Sequence, residues 1–492
     1  MNRNDLFKAM NGIDNNKIEK SENTKKKIKF KPWWIASTAA VIAVGIIGGI
    51  AVNSLKLSEH LISVPKADKF MISAAEYPKM VQAPTERELM NDDDGTKYDK
   101  WRASLDSQQR DGAYTEGLQD FYEKSMAEFL SSDGENKVYS PINLYMALSM
   151  LAEITDGESR QQILDLLGKD NIEDLRRQAS DMWNDHYRDD GRTKLVLGNS
   201  IWMDDNLSYK KEVLDILSND YYASSFSGEM GSEDYNKAYR KWLNEQTDGL
   251  LKDAVNNSKL DKDTILALAS TICFKAKWAN EFQPSETKPQ TFHGADGDSE
   301  ADFMHRSDTN TYFWGENFSA VCDSLQNTRS YHMWFILPDE DVNVNDLLKD
   351  EEVLSLIFRK TDSGYFTDEE WSQWKNSKSI MINYAIPKFD IHSETDLEKG
   401  LASLGVTDAF NPEKADFSPV CDGNINVTSA KQNARVAIDE EGVTAVAYTE
   451  MLCGAGAPPD DEVDFTLDRP FMFAIVDNHN MPLFTGVVNN IE

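Results

Sequence analysis

The chain has 492 residues, 40% of them hydrophobic, which is enough to bury a large core and excludes a protein that is disordered throughout. Its formal net charge is −33, and because residues 1–31 carry nine basic against four acidic residues (+5), the remainder carries −38. A surface this acidic repels nucleic acid and anionic lipid, so any partner that it attracts should be cationic.

The first predicted element is a single membrane-spanning helix at residues 33–52. The stretch WWIASTAAVIAVGIIGGIAV carries no charge and, as a helix, would extend about 30 Å, the thickness of a bilayer's hydrocarbon core. Five lysines lie within residues 25–31, so residues 1–32 are predicted to be a cytoplasmic basic tail and everything after residue 52 to lie outside the cell membrane. A cleaved signal peptide is the alternative, but the basic region is long and no convincing small-x-small cleavage site is present.

Residues 53–113 are polar and show no sustained hydrophobic period. We therefore expect an extracellular linker that holds the following domain, residues 114–492, away from the membrane.

The domain begins with helical patterns and continues with strand-like ones. Apolar residues recur at helical spacing from Leu118 to Leu130, and the next run, INLYMALSMLAEIT, is apolar on nearly all faces and predicts a buried helix. Downstream, KLVLGNSIWM, ILALASTICF, HMWFIL and MINYAIPKFDI resemble strands, and the C-terminus predicts a hairpin. Helices early and strands late, without strict alternation, indicate an α+β fold with large antiparallel or mixed sheets.

No catalytic or metal-binding motif is recognisable. There is no HExxH, phosphate-cradling Gly-Lys loop, GxSxG elbow or dinucleotide-binding glycine pattern, and the four cysteines are scattered. We expect no enzyme activity, no metal and no cofactor.

A series of short motifs in a fixed order resembles the serpin family of serine protease inhibitors over residues 115–492. The motifs are Tyr139-Ser140-Pro141, Trp242-Leu243-Asn244 with Thr247-Asp248-Gly249, Phe274-Lys275-Ala276-Lys277-Trp278, Pro387-Lys388-Phe389, Glu440-Glu441-Gly442, Phe465-Thr466-Leu467-Asp468-Arg469-Pro470-Phe471 and Pro482-Leu483-Phe484-Thr485-Gly486. Each motif alone is weak, whereas their order and spacing together are specific. The resemblance is to a membrane-anchored, bacterial-type member.

The resemblance implies a fold of about nine helices around three β-sheets, with an exposed reactive-centre loop at about 440–464. In this family a serine protease cleaves the loop and forms an acyl-enzyme, and the cut loop inserts into the main sheet and distorts the trapped protease. A non-inhibitory cell-surface binding module on the same fold is the alternative.

The loop sequence fits insertion as a strand. Alternate residues from Val443 to Cys453 are uncharged, so one face of the segment can be buried completely. The resemblance places the loop hinge at Glu440, Glu441, Gly442, Val443, Thr444, Ala445 and Ala447. A small uncharged residue at 443 permits insertion, because a charged one would be buried unpaired.

The family's spacing from the hinge places the inhibitory bond at Gly456, flanked by Ala455 and Ala457. These small side chains fit the shallow pocket of an elastase-like protease, while Met451 and Leu452 offer sites to chymotrypsin-like enzymes. The resemblance also assigns Ser140, Trp278, Ser270 and Gln432 to the region where the sheet opens, with Gln432 where many relatives have His and Ser270 where Asn is usual. Predicted partners are serine proteases and, through the N-terminal helix, the membrane; the ectodomain is expected to be monomeric.

Overall fold

The computed structural model describes residues 38–44, 69–85, 88–89, 95–108, 112–326, 331–358, 360–361, 364–365, 376–443 and 461–491. Among these residues there are ten α-helices, where the resemblance implies about nine. They are α1 Thr96–Asp106, α2 Leu118–Leu130, α3 Pro141–Ile154, α4 Gly157–Leu166, α5 Ile172–His186, α6 Lys211–Asp220, α7 Glu233–Gln246, α8 Lys252–Asn256, α9 Glu351–Phe358 and α10 Glu398–Ser403.

The described residues also form twenty strands, besides four short 3-10 helices. They are β1 Thr38–Val44, β2 Met71–Ser73, β3 Lys137–Tyr139, β4 Arg188–Asp189, β5 Lys194–Asp204, β6 Ala223–Gly228, β7 Leu266–Trp278, β8 Lys288–Gly294, β9 Gly297–Trp314, β10 Phe318–Gln326, β11 His332–Pro338, β12 Lys360–Thr361, β13 Gly364–Tyr365, β14 Ser377–Pro387, β15 Phe389–Asp396, β16 Ala430–Ile438, β17 Gly442–Val443, β18 Glu462–Thr466, β19 Phe471–Val476 and β20 Pro482–Val488. The predicted strands and the C-terminal hairpin, β19–β20, are present, but MINYAIPKFDI is divided at Lys388 between β14 and β15.

The main sheet positions the candidate site. Its order is β2, β6, β5, β7, then a shared position held by β17 and β1, then β16 and β15. Since β1 and β17 are antiparallel to both β7 and β16, the two long strands are parallel to each other.

The remaining strands form the other layers. Strand β9 pairs with β8, β14 and β10, while β10, β11, β19, β20 and β3 follow one another. A short β10–β7 pairing, Leu325 to Trp278, joins these strands to the main sheet. The resemblance implies three separate sheets, whereas in this structure 18 of the strands are joined by hydrogen-bonded pairs into one mixed sheet.

Helix α3 lies at the centre of the core. Ser140 precedes it with extended backbone, Pro141 occupies its first turn, and each of its 14 residues is buried. A proline is tolerated there because the first amides of a helix have no intrahelical partner. The all-round apolar pattern of INLYMALSMLAEIT is thus satisfied by burial on every side, as predicted.

The opposite face of the main sheet is covered by α7. Trp202 of β5 stacks on Phe226 of β6 with ring centroids 3.9 Å apart, and Tyr239 of α7 meets the same indole edge-on at 5.0 Å. Cys273 of β7 is buried in this aromatic cluster.

Part of the predicted linker packs on the domain. Strand β2 pairs with β6, and the amide of Ala75 donates to Ser224 Oγ at 3.1 Å. In α1, Trp101 is 1% exposed and donates its indole N–H to Asp190 Oδ2 at 3.3 Å. Residues 69–85 and 95–108 therefore differ from the expected tether, because a few aromatic side chains and backbone pairing hold an otherwise polar segment.

The predicted membrane span also differs. Within residues 33–52, the described segment Thr38–Val44 is the strand β1, and the rest lies outside the described residues. The β-branched residues of TAAVIAV suit a strand, which the length and hydropathy of the stretch do not reveal. None of the helices in the described ranges combines the length and the hydrophobicity that a membrane span requires.

Candidate functional site: a hinge and strand slot in the main sheet

The hinge residues Gly442 and Val443 form β17 at one end of the gap between β7 and β16. Val443 pairs with Ala276 of β7 and Ile438 of β16, and its side chain is fully buried. A Cβ at Gly442 would lie 2.5 Å from both Ala276 O and Lys277 Cα. Only glycine therefore allows the chain to turn into the sheet at this point.

The turn before the hinge is held by its own polar groups. Asp439 Oδ1 accepts from the amides of Glu441 at 2.9 Å and Gly442 at 3.2 Å. Burial raises the pKa of Asp439. The carboxylate thus takes the place of missing backbone partners in the turn.

Glu440 is anchored to neighbouring elements. Its carboxylate receives Lys388 Nζ at 2.9 Å and the Thr287 hydroxyl at 2.8 Å. Burial alone would raise the pKa of Glu440, but the bonds from Lys388 and Thr287 outweigh it and lower that pKa. The charged form is therefore the one that this end of the sheet stabilises.

Trp278 ties β7 to the same turn. Its indole N–H donates to Asp439 O at 2.8 Å, its amide donates to Glu441 O at 3.1 Å, and its side chain is fully buried. The predicted sheet-opening residue Trp278 thus contacts the predicted hinge directly.

Ser140 and Gln432 contact each other further along the sheet. The Gln432 side chain accepts from the Ser140 amide at 2.9 Å and donates to the Ser140 carbonyl at 3.0 Å. The Ser140 hydroxyl donates to Leu483 O at 2.7 Å, and both residues are fully buried. Glutamine, which stands where many relatives have histidine, therefore connects β16 to the start of α3 with two hydrogen bonds.

Ser270 lies at the same level on the opposite strand and bonds elsewhere. Gln432 and Ser270 are the two register partners of Ile42 in β1, one on each side. Ser270 Oγ donates to Asn199 Oδ1 of β5 at 2.7 Å, and Asn199 Nδ2 donates to Tyr221 O at 2.8 Å. The Ser270 side chain therefore bonds towards β5 and not towards β16.

Two further buried polar residues of this region, Asn199 and Asn143, are not among those predicted from the sequence. Asn199 interrupts the apolar run KLVLGNSIWM, and an amide inside a buried strand is itself a signal. Asn143 of α3 is fully buried, and its amide N and O have no hydrogen-bond partner among the described residues.

The central part of the loop lies outside the described residues. The predictions for Thr444, Ala445, Ala447, Ala455, Gly456 and Ala457 fall there and stay predictions. The chain is described again from Asp461, and β18 pairs in parallel with β14 directly afterwards. Across the described part of the chain, no group of His, Cys, Asp and Glu side chains could hold a metal ion.

The comparisons with known proteins agree with this geometry. A family model described as "Serpin (serine protease inhibitor)" matches residues 117–491. The chain belongs to the serpin family.

Similar serpins come from distant organisms. Serpin-ZX of Arabidopsis thaliana is 26% identical over 373 residues, covering 73% of this chain and 91% of the relative. The alpha-1-antitrypsin-like protein GS55-MS of Ictidomys tridecemlineatus is 27% identical over 370 residues, covering 73% and 84%. The family is one of protease inhibitors rather than catalysts.

Solved structures give the same fold. The native state of tengpin, a thermophilic serpin, is similar with a TM-score of 0.66 and 27% identity over 78% of this chain and 95% of tengpin. Its latent state gives 0.61 at 26% identity, with 76% and 97% covered. This chain therefore has a serpin body, to which β1, β2 and α1 are added on the N-terminal side of the matched residues.

Proposed function

We propose that this serpin is a suicide inhibitor of serine proteases that traps its target covalently by inserting the cleaved loop between β7 and β16. The observation that carries the proposal is the pairing of Val443 with both strands at the head of the gap. An uncharged, fully buried residue at the hinge is what insertion requires, since a charge there would lose its hydration without gaining a partner.

The magnitude of insertion supports a one-way mechanism. A new central strand makes roughly a dozen ladder hydrogen bonds at about 1 kcal/mol net each, before its apolar face is counted. Ordering the loop costs about 1 to 2 kcal/mol per residue, which offsets much of that gain. Strain in the uncut body must supply the surplus, so the uncut state is a kinetic trap that cleavage releases.

The preferred targets in this proposal are elastase-like proteases, with chymotrypsin-like enzymes second. The small residues from Cys453 to Ala457 support the first preference, and Met451-Leu452 supports the second. The proposal includes a single-pass anchor at residues 33–52 that leaves the serpin domain outside the cell, supported by the uncharged stretch and the lysines before it.

The proposal is tested with the full chain and three purified enzymes of elastase, chymotrypsin and trypsin type. We expect a covalent adduct that survives denaturation with the elastase-type enzyme and none with the trypsin type. Val443→Arg should reduce adduct formation by about tenfold or more, because a buried unpaired charge costs well over the 1.4 kcal/mol that a tenfold change represents. Val81→Arg is the matched control, since it is the same substitution at a valine that is 45% exposed and lies outside the hinge.

A second candidate is a non-inhibitory binding module, and the presence of β1 in the gap favours it, since a filled gap leaves no place for the loop. Loop cleavage by all three enzymes without any adduct would support this candidate. Undiminished trapping by Val443→Arg would contradict the role given to the hinge.

A further inference from the structure

The strand position between β7 and β16 is shared by two segments of the chain. Val443 is opposite Ala276, and Thr38 of β1 is opposite Phe274, two residues further along β7. Both segments run in the same direction, antiparallel to β7 and β16. The N-terminal strand thus begins almost where the hinge strand ends.

The register identifies what β1 displaces. If the loop continued from Val443 without a shift, residue 445 would lie opposite Phe274 and residue 451 opposite Leu268. Those are the partners of Thr38 and Val44, the first and last residues of β1. The register along β16 gives the same result, since Val44 pairs with Ala430, the residue that 451 would meet. Strand β1 therefore occupies the seven positions that Ala445–Met451 need for insertion.

A cavity of about 120 Å³ lies beyond the end of β1. It is lined by Leu266 and Leu268 of β7 on one side and by Val427 and Thr428, which precede β16, on the other. Val44 pairs with Leu268, so β1 ends at the edge of this cavity. Among the described residues, the strand position between β7 and β16 is therefore filled as far as Val44, and the cavity lies next to that end.

We propose that β1, residues Thr38–Val44, is an internal plug. It fills the slot, which is the strand position between β7 and β16, so a molecule with its plug in place is cleaved as a substrate and cannot trap a protease. The inference rests on the proposed function, whose insertion step it regulates. Two segments cannot form hydrogen bonds with the same edges of β7 and β16, so plug and loop compete for one site. The plug is covalently tethered and needs no cleavage, and it therefore competes at high effective concentration.

A native cysteine provides a test in the full chain. Ala39 is the register partner of Cys273, and directly opposed residues have Cα separations of about 4.5 to 5.5 Å, within the disulfide range. Under mild oxidation Ala39→Cys should form a disulfide with Cys273 in at least about fivefold higher yield than Ala40→Cys. The control residue Ala40 pairs with Ile272, and alternation places a cysteine there on the other face. Peptide mass spectrometry identifies the linkage.

The functional arm compares oxidised and reduced Ala39→Cys with an elastase-type enzyme. The oxidised form should be cleaved without forming adduct or gaining thermal stability, and reduction should restore both. Equal disulfide yields from the two variants, or no linkage from either, overturn the plug whether or not the protein inhibits. Linkage without adduct in either redox state supports the plug and contradicts the proposed inhibition, so the two failures are distinguishable. Full adduct formation while the disulfide is intact also overturns the plug.

Discussion

At the scale of single residues, Gly442 controls how the chain enters the main sheet. A methyl group there would lie 2.5 Å from two backbone atoms of β7, so the hinge or the strand must move. We expect Gly442→Ala to release Val443 from the sheet and to lower the free energy of unfolding by about 1 to 3 kcal/mol. Chemical denaturation and hydrogen exchange of the Val443 amide measure the two effects.

Gly423→Ala is the matched control for this substitution. A Cβ at Gly423 meets its nearest atoms at 3.7 to 3.8 Å, which is ordinary contact. Its stability should change little. Equal destabilisation by both variants would show that the close approach at Gly442 carries no special cost.

The Ser140–Gln432 pair makes a separate prediction at the same scale. Gln432→Ala leaves the buried amide of Ser140 without a partner, whereas the Ser140 carbonyl still accepts from the Leu144 amide at 3.2 Å. We expect a loss of about 1 to 3 kcal/mol, measured by denaturant unfolding. Asn143→Leu removes a buried amide that has no partner among the described residues, so it should be neutral or stabilising. A Gln432→Ala variant as stable as the parent would contradict the importance of the link.

The sequence identified this pair only through the family resemblance. Hydropathy places Gln432 in a strand and Ser140 before a helix, but it cannot bring together two residues so distant in the chain. Asn199 carried a local signal, a polar residue in an apolar strand, which the motifs did not include. The bonding of Ser270 to Asn199 depends on which neighbouring strand is closer, and that is a property of the folded sheet.

At the scale of elements, the N-terminal extension, residues 69–85 and 95–108, contacts two helices beside the main sheet. Tyr77 packs with ring centroids 5.2 Å from Trp183 and 5.5 Å from Tyr187, and its hydroxyl donates to Gln246 Oε1 of α7 at 3.3 Å. Since Trp183 belongs to α5, one side chain joins α5 to α7.

Removing this ring should loosen the extension. We expect Tyr77→Ala to lower the free energy of unfolding by about 2 to 3 kcal/mol, less than a fully buried aromatic, because Tyr77 is half-buried. Tyr77→Phe keeps the ring contacts and should cost about 1 kcal/mol or less. Thermal unfolding of the three proteins measures both, and equal losses in the two variants would assign the effect to the hydroxyl instead of the rings.

The elements differ in how well the sequence predicts them. Strands β5, β7 and β11 and helix α3 are evident from their apolar runs, because each is buried on more than one side. The sequence predicts a tether for the extension because its attachment depends on backbone pairing and a few aromatic residues, which produce no hydrophobic period. The segment 33–52 satisfies the hydropathy of a membrane helix, yet its β-branched residues also suit a central strand.

At the scale of the whole molecule, the apolar stretch 33–52 has two locations that exclude each other. Part of it forms β1 in the main sheet, and the whole of it is the proposed membrane span. Residues 38–44 cannot form β1 and span a bilayer at once, so membrane insertion would withdraw the plug and open the slot to the loop. A ligand shifts the equilibrium between the inserted and the withdrawn plug only by binding one form more tightly than the other. A bilayer binds only the form whose plug is withdrawn from the sheet.

Lipid should therefore oppose the disulfide in Ala39→Cys. We expect phosphatidylcholine vesicles, added before oxidation, to lower the yield of the linkage between the introduced cysteine and Cys273 and to raise adduct formation by the same protein. In the double variant that adds Ile46→Lys, a charge near the middle of the span but outside β1 costs about 2.5 to 3.5 kcal/mol on insertion, so vesicles should have much less effect. Flotation reports how much protein is bound to the vesicles. An unchanged disulfide yield in vesicle-bound protein would show that the span and the plug are not alternatives.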